Sequence, residues 1–173
     1  ITEIVRQMST FSRPDSTSIK LVQINDILRS SLDLMRLDKR MKSTLEITVN
    51  FGMDIPKTMI DEGQIAQVFI NIILNALDAM EEGGSLMVRS RLGTVHEDEV
   101  EVEIEDTGAG IPRAELPKIF EPFYTTKPPG RGTGLGLSVC YGIVAEHGGR
   151  IEADSQPGRG SVFRVFLPVA GKT

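Results

Sequence analysis

The residues Gly132-Thr133-Gly134-Leu135-Gly136-Leu137-Ser138 run straight into the apolar-periodic segment Val139 to Glu146. Three glycines at alternate positions remove every Cβ where a backbone must approach something closely or adopt φ > 0. The helix predicted to follow adds unpaired N–H groups and the positive end of its dipole. Such a turn is a cradle for an anion, and phosphate is the anion it suits best. It is not the dinucleotide fingerprint, whose glycines follow a strand near the start of a βαβ unit, and it lacks the Gly-Lys-Ser/Thr ending of a P-loop. Taken alone it also fits a tight connection, so other segments must decide.

A chain of 173 residues, 40% hydrophobic and 25% charged, can bury a full core and suits one globular domain with an appended element. Its net charge of −5 argues against nucleic acid or an anionic membrane as the main partner, since both call for a basic surface. The single cysteine, Cys140, falls in the helix after the glycine turn and reads as a small core residue, which excludes a disulfide framework within one chain. There is no apolar run of membrane-spanning length and no signal peptide. The opening at Ile1 rather than methionine leads us to expect a piece of a longer protein.

Ile1, Ile4, Val5, Met8 and Phe11 share one helical face, and Arg13-Pro14 stops that helix. Residues 1–13 are therefore expected to be the end of a longer helix, 14–19 a linker, and 20–173 the main domain. Lys20 to Ile24 reads as a short strand, with Asn25 as N-cap of a helix reaching about Leu37. Thr44 to Phe51 alternates as a strand, and Asp54-Ile55-Pro56 turns the chain. Asp61 caps a long helix, Glu62 to Met80, closed by Gly83-Gly84. Strands follow at Ser85 to Leu92 and Val100 to Asp106, joined across an acidic loop. The segment Thr107 to Thr133, rich in glycine and proline, is long and irregular enough to be a lid, with one helical turn at Arg113 to Phe120. The helix Leu135 to His147 ends at Gly148-Gly149, before strands Arg150 to Ser155 and Ser161 to Leu167. Interleaved helices and hairpin-compatible strands predict a two-layer α/β sandwich, a mixed sheet with helices on one face.

The polar face of the central helix is unusual. Gln64, Gln67, Asn71, Asn75 and Asp78 recur at helical spacing, where a plain solvated face would carry Lys, Glu or Arg. Asn is a poorer helix former whose side chain competes for backbone groups, so two of them one turn apart suggest a task. A neutral carboxamide oxygen suits a magnesium ion whose charge is balanced by phosphate oxygens. A face half-buried against a loop is the competing reading. Asp106, where a strand meets Thr107-Gly108-Ala109-Gly110, can accept a hydrogen bond from an exocyclic amine such as that of adenine, or form an ordinary Asx turn. Phe120 and Phe123 read as hinges anchoring the lid. Lys127 and Arg131 are the nearest positive charges for a polyphosphate, against the default of solvated side chains.

In this order the segments resemble the ATP-binding catalytic domain of sensor histidine kinases, within the superfamily shared with gyrase, MutL and the ninety-kilodalton heat-shock chaperone. The resemblance covers about Ser18 to Val169. It rests on an asparagine box at Asn71-Ile72-Ile73-Leu74-Asn75-Ala76-Leu77-Asp78-Ala79, a first glycine box at Asp106 to Gly110, a phenylalanine box at Phe120 to Phe123, and the second glycine box at Gly132 to Gly136. The closing strand Gly160 to Pro168 is also similar. The resemblance implies the Bergerat-type ATP-binding sandwich with a flexible lid, and ATP and Mg2+ as cofactors. It implies that Asn75 ligates the metal, that Asn71 contacts the phosphate side, and that Asp106 reads the adenine amine. Gly108 and Gly110 would shape the adenine slot, Ile111 would pack on the ring, and Ser161 would support Asp106 through water. Gly132, Thr133, Gly134, Leu135, Gly136 and Leu137 would wrap the phosphates, and Asp78, Phe120 and Thr126 complete the nucleotide-side set.

Two departures bear on mechanism. Many relatives carry a basic and then an aromatic residue after the second Asn, whereas this chain has Asp78 and Ala79, as nitrogen-regulatory kinases often do. Thr125 stands where some relatives place a phosphate-contacting Arg, and Lys127 is its substitute here. Asn71 also occupies the position that carries a general-base Glu in the ATPase branches. Without that carboxylate, phosphoryl transfer to a presented nucleophile is favoured over hydrolysis, and Asn71, Asn75 and Lys127 form the expected catalytic set. Neither His96, in the acidic loop, nor His147, which reads as closing its helix through the dipole, looks like a phosphoacceptor. The acceptor histidine is expected upstream of Ile1 on a dimerisation domain. That domain, a response-regulator receiver and a second copy of the full-length protein are the partners this implies, in the cytoplasm. A serine kinase of the anti-sigma type and a nucleotide-gated binding module are the alternative readings.

Overall fold

Alternating apolar and polar residues build five strands into one sheet of order β2-β4-β5-β7-β6: β2 (Leu45–Phe51), β4 (Gly84–Leu92), β5 (Glu99–Asp106), β6 (Arg150–Gln156) and β7 (Gly160–Pro168). β2 runs parallel to β4, and the other neighbours are antiparallel, so the sheet is mixed. The computed structural model describes residues 18–36, 38, 45–94, 98–128 and 132–171. The expected helix Ile1–Phe11, most of the linker, His96 and Arg131 lie outside the described residues.

Leu86 and Val88 on β4, Val100, Val102 and Ile104 on β5, and Phe163, Val165 and Leu167 on β7 form the inner face. Three helices cover them: α1 (Ile24–Met35), α2 (Glu62–Ala79) and α3 (Gly136–Glu146). The expected two-layer α/β sandwich is thus the observed one. α2 places Ile65, Val68, Phe69, Ile72 and Ile73 at 0% exposure against this face. Burial is worth about 1.5–3 kcal/mol per such side chain. It therefore outweighs the propensity cost of about 0.7 kcal/mol that each Asn imposes on the same helix.

The outer face is polar and paired. Arg89 bonds Glu103 at 2.7 Å and Glu105 at 3.1 Å, Arg164 bonds Glu103 at 2.8 Å, and Arg91 grips Glu101 at 2.6 Å and 2.9 Å. Glu101 and Glu103 lie buried beneath these guanidinium groups.

Asp61 caps α2 as expected, its Oδ1 accepting from the Gln64 amide at 3.0 Å. Burial by itself would raise the Asp61 carboxyl, but the amides of Gln64, Ser18 and Gly63 outweigh it and hold the group below its usual range.

The structure departs from the sequence reading at two places. The first concerns α1, whose N-cap is Gln23 and not Asn25. Asn25 is buried, donating to the Gly52 carbonyl at 2.9 Å and accepting from Ser90 Oγ at 2.6 Å, so its carboxamide ties α1 to the sheet. The second concerns β3 (Thr58–Asp61), which pairs antiparallel with β1 (Ile19–Val22) in a separate ladder from Ile19↔Asp61 to Val22↔Thr58. Four residues ending in a capping Asp carry little strand signal, because the partner is 36 positions away at Val22↔Thr58 and 42 at Ile19↔Asp61. His147 stands at the C-cap of α3 as expected, and its ring bonds the backbone of both Ile143 and Asp61.

Candidate functional site

β5 ends at Asp106, which is 4% exposed. Burial pushes its carboxyl above the ordinary range, and backbone bonds from Gly108 and Ser161 only partly oppose this. The Gly108 amide holds Oδ1 at 2.8 Å. Ser161 stands directly across the ladder from Asp106, and its hydroxyl pairs with Ser155 Oγ at 2.9 Å. Ser155 also accepts from the Ile111 amide at 2.7 Å and donates to the Gly160 carbonyl at 2.8 Å. Sequence reasoning did not single out Ser155. The available signal was its place on β6, opposite Ser161 in register.

The first glycine box is pinned by its own backbone. A Cβ on Gly108 would lie 2.6 Å from the Ala79 carbonyl oxygen, and one on Gly110, at φ 71°, would lie 2.1 Å from that of Gln156. The Ala109 amide bonds Ala79 and the Ala109 carbonyl accepts from Gly158, fixing this loop between the end of α2 and the β6–β7 turn. Ile111 packs half-buried on the core just beyond.

Asn71 donates to the Gly136 carbonyl at 3.4 Å, joining the polar face of α2 to the start of α3. One turn on, Asn75 Oδ1 accepts from the Lys127 ammonium at 3.2 Å, and Asp78 Oδ2 accepts from the same ammonium at 2.5 Å. Asn71, Asn75, Asp78, Lys127 and Gly136 are therefore brought together. Gln64 is not among them: it lies about 16 Å back along the axis from Asn75, with its Oε1 buried and unpartnered.

Along the lid, only Leu116–Lys118 forms a helical turn among the described residues. Phe120 leans on the core, its ring 5.8 Å from that of Tyr141. Phe123 departs from the expectation of an aromatic anchor, because its ring is 74% exposed. At φ 67° its backbone turns instead, and its amide donates to the Gly134 carbonyl at 2.9 Å. Thr126 is exposed, and Thr133 Oγ1 accepts from the Leu135 amide. The Gly132 position faces Thr125 Oγ1 at 2.5 Å, and Gly134, at φ 68°, faces the Phe123 carbonyl carbon at 2.3 Å. Gly136 differs, since a Cβ there would meet nothing within 4 Å among the described residues. α3 has no side-chain cap at Leu135, and Leu137 packs half-buried on the core.

An uncapped helix start, an ammonium and two carboxamides thus share one region, beside a strand that ends in a buried carboxylate. A cleft of ≈ 400 Å³ between Asp78–Gly83 and Thr107–Ala109 adjoins it. That cleft contains Asp78, Glu81 and Glu82 and neither Asn75 nor Asp106, so it repels anions, and a phosphate fits better on the Lys127 and α3 side. Among the described residues no group of His, Cys, Asp and Glu could hold a metal unaided. A metal held by the Asn75 carboxamide oxygen would be completed by oxygens of a ligand or of water.

Residues 60–171 match the family model described as histidine kinase-, DNA gyrase B-, and HSP90-like ATPase. The chain is 42% identical over 95% of its length to sensor kinase CckA of Brucella abortus (strain 2308) and 33% identical over 98% to sensor histidine kinase ZraS of Escherichia coli (strain K12). It spans only 18% and 35% of those two proteins. Among solved structures it is similar to the catalytic domain of histidine kinase ThkA, with a TM-score of 0.75 and 32% identity, covering 87% of this chain and 95% of that one. The fold, the ordered boxes and these likenesses agree: the chain belongs to the histidine kinase-, DNA gyrase B-, and HSP90-like ATPase family, as an ATP-binding catalytic domain of the sensor histidine kinase kind.

Proposed function

We propose that this domain binds ATP with Mg2+ and transfers the γ-phosphoryl to a histidine on a dimerisation domain outside these residues, for relay to an aspartate of a response regulator. The observation that carries the reading is the meeting of Asn71, Asn75 and Lys127 with the uncapped start of α3. A Mg2+ ion, when bound, would neutralise charge on the β- and γ-phosphate oxygens. The chain's own groups then do the positioning. Asn75 offers the carboxamide oxygen to the metal, Lys127 supplies the cation nearest the γ-phosphate, and the free amides from Gly136 onward point at the phosphates. Asp106 accepts the adenine amine with the oxygen that Gly108 leaves free, and Gly108 and Gly110 keep side chains out of the slot.

Transfer is favoured over hydrolysis because Asn71, and not a carboxylate, stands one turn before Asn75 and is engaged with Gly136. Phosphoryl transfer needs little covalent help from side chains, so alignment and charge compensation suffice. ThkA has been solved in complex with the response regulator TrrA, and that kinase matches 96% of this chain with a TM-score of 0.77 at 28% identity. A receiver domain is accordingly the partner we assign, alongside the dimerisation domain of a full-length homodimer on the cytoplasmic side of any membrane. Incubation with γ-labelled ATP and a separately supplied dimerisation domain tests the reading. Acid-labile, base-stable label on that domain supports it. Acid-stable label points to a serine kinase, and nucleotide binding without transfer points to a binding module, so either result overturns it.

A further inference from the structure

α2 and α3 carry the two halves of the proposed phosphate site, and they pack antiparallel. Going back along α2 and forward along α3, Asn71 meets the Gly136 carbonyl, the Val68 carbonyl meets Cys140 Sγ at 3.7 Å, and the Asp61 amide meets His147 Nε2 at 3.0 Å. The apolar contact between the helices, to which Cys140, Ile143 and Val144 bring buried side chains, is non-directional and holds axial register less sharply than directional bonds do. The Asn71 bond is long at 3.4 Å and the thiol is a weak donor, so the firm tie is at His147.

That tie has a defined chemistry. His147 Nε2 accepts from the Asp61 N–H, so it carries no proton there, and Nδ1 lies 2.7 Å from the Ile143 carbonyl, to which it donates. The same carbonyl also accepts from the His147 amide at 3.2 Å. One ring thereby joins the last turn of α3 to the residue that caps α2. Gly148, at φ 71°, and Gly149 then turn the chain into β6, which fixes this end of α3 against the sheet as well.

We infer that His147 is a positioning residue for the nucleotide site: its Nδ1-protonated ring fixes α3 axially against α2 and so sets where the uncapped start of α3 stands relative to Asn71 and Asn75. The inference rests on the ATP-binding reading of that site. The effect acts on the triphosphate end and not on adenine, because Asp106 and the first glycine box are held by β5, β7 and the end of α2. Misplacement by about 1 Å at such a site is enough to cost an order of magnitude or more.

The test compares ATP with adenosine on the 173-residue chain, well below its melting temperature, for wild type, His147→Ala and His147→Gln. The expected result is ATP with Mg2+ bound about 10-fold more weakly by His147→Ala, adenosine unchanged within twofold, and ATP affinity largely restored in His147→Gln, whose carboxamide can accept and donate in place of the ring. Equal weakening of both ligands, or no weakening of either, overturns the inference. Should the Ala variant fail to fold, the imidazole ¹⁵N spectrum of the wild-type chain decides: an Nε2-protonated ring overturns it and an Nδ1-protonated ring supports it. Asn75→Ala is the control for the underlying reading. If it leaves magnesium-dependent ATP binding intact, the nucleotide site itself is misassigned, whatever His147 does.

Discussion

Across 52 residues of sequence, the Lys127 ammonium donates to the carboxamide oxygen of Asn75 at 3.2 Å. The oxygen proposed for magnesium is therefore engaged by a cation of the lid, and the two cannot hold it fully at once. Binding of the metal should turn Lys127 toward the phosphates. Two effects oppose each other in Lys127→Met: the oxygen is released, and a phosphate-side charge is lost. The ammonium side chain is one-third exposed in its pair with Asp78, which limits that pair to about 1 kcal/mol or less. A charge-assisted bond to a phosphate is worth about 1.5–3 kcal/mol. The phosphate term wins, so titration calorimetry should find ATP bound roughly 10- to 100-fold more weakly, with adenosine unaffected. Unchanged ATP affinity in this variant removes Lys127 from the site.

The glycines separate into two kinds. At Gly110 and Gly134 a Cβ would strike the chain's own backbone at φ near +70°, so Gly110→Ala and Gly134→Ala should each destabilise the fold by about 1–3 kcal/mol or more. Gly136 has neither constraint among the described residues, and it opens a helix. Gly136→Ala should hold or raise thermal stability, by up to about 1 kcal/mol, because Ala restricts the unfolded chain. The reason for a glycine there lies in the ligand. We expect ATP affinity to fall by about tenfold or more in the same variant, as a methyl group intrudes on phosphate oxygens. A Gly136→Ala protein that melts early and binds ATP normally would reverse this assignment.

Much of this was legible in the sequence because the physics is local. The cap at Asp61, the apolar stripe of α2 and the glycine turn before α3 each announce themselves within a few residues, and the order of the boxes named the fold. What escaped depends on distant partners. β3 becomes a strand only because β1 lies beside it, and Asn25 leaves the cap position only because Gly52 and Ser90 offer a buried alternative. The hub role of Ser155 needs the register of β6 on β7. The exposed ring of Phe123 follows from a positive φ that no composition rule assigns to Phe. The Lys127 contact joins the asparagine box to a lid residue that belongs to none of the boxes.

Cys140 should be inert in the folded chain. It is fully buried, and burial pushes its thiol up to about 12, with the Asn71 side chain pulling weakly the other way. Alkylation by iodoacetamide at pH 8 should therefore track global unfolding, slow in native buffer and rapid in denaturant. Rapid labelling without denaturant would mean that α3 opens from α2 on its own. Cys140→Ser should cost about 1–3 kcal/mol, since a stronger donor and acceptor replaces a thiol in an apolar setting.

Asp106 gives the sharpest conflict between stability and function. Burial raises its carboxyl above the ordinary range, so the folded chain holds that proton more tightly than the unfolded one. In the window between the unfolded value, about 4, and the raised folded value, the native state binds more protons, and stability therefore falls as pH rises. Above that window the penalty of the buried charge is constant, and below it the penalty is gone. Asp106→Asn removes the charge and keeps an oxygen for the Gly108 amide. Its melting temperature should exceed that of the wild type at pH 7–8, and the gap should close as pH approaches 4. Binding should move the opposite way. With the oxygen held by Gly108, the remaining NH2 group would face the adenine amine as donor against donor, for an ATP affinity loss of about 30- to 100-fold. Melting curves across pH and calorimetry on the same variant check both signs, and a variant that is less stable at neutral pH, or that binds ATP as before, contradicts the role given to this carboxylate.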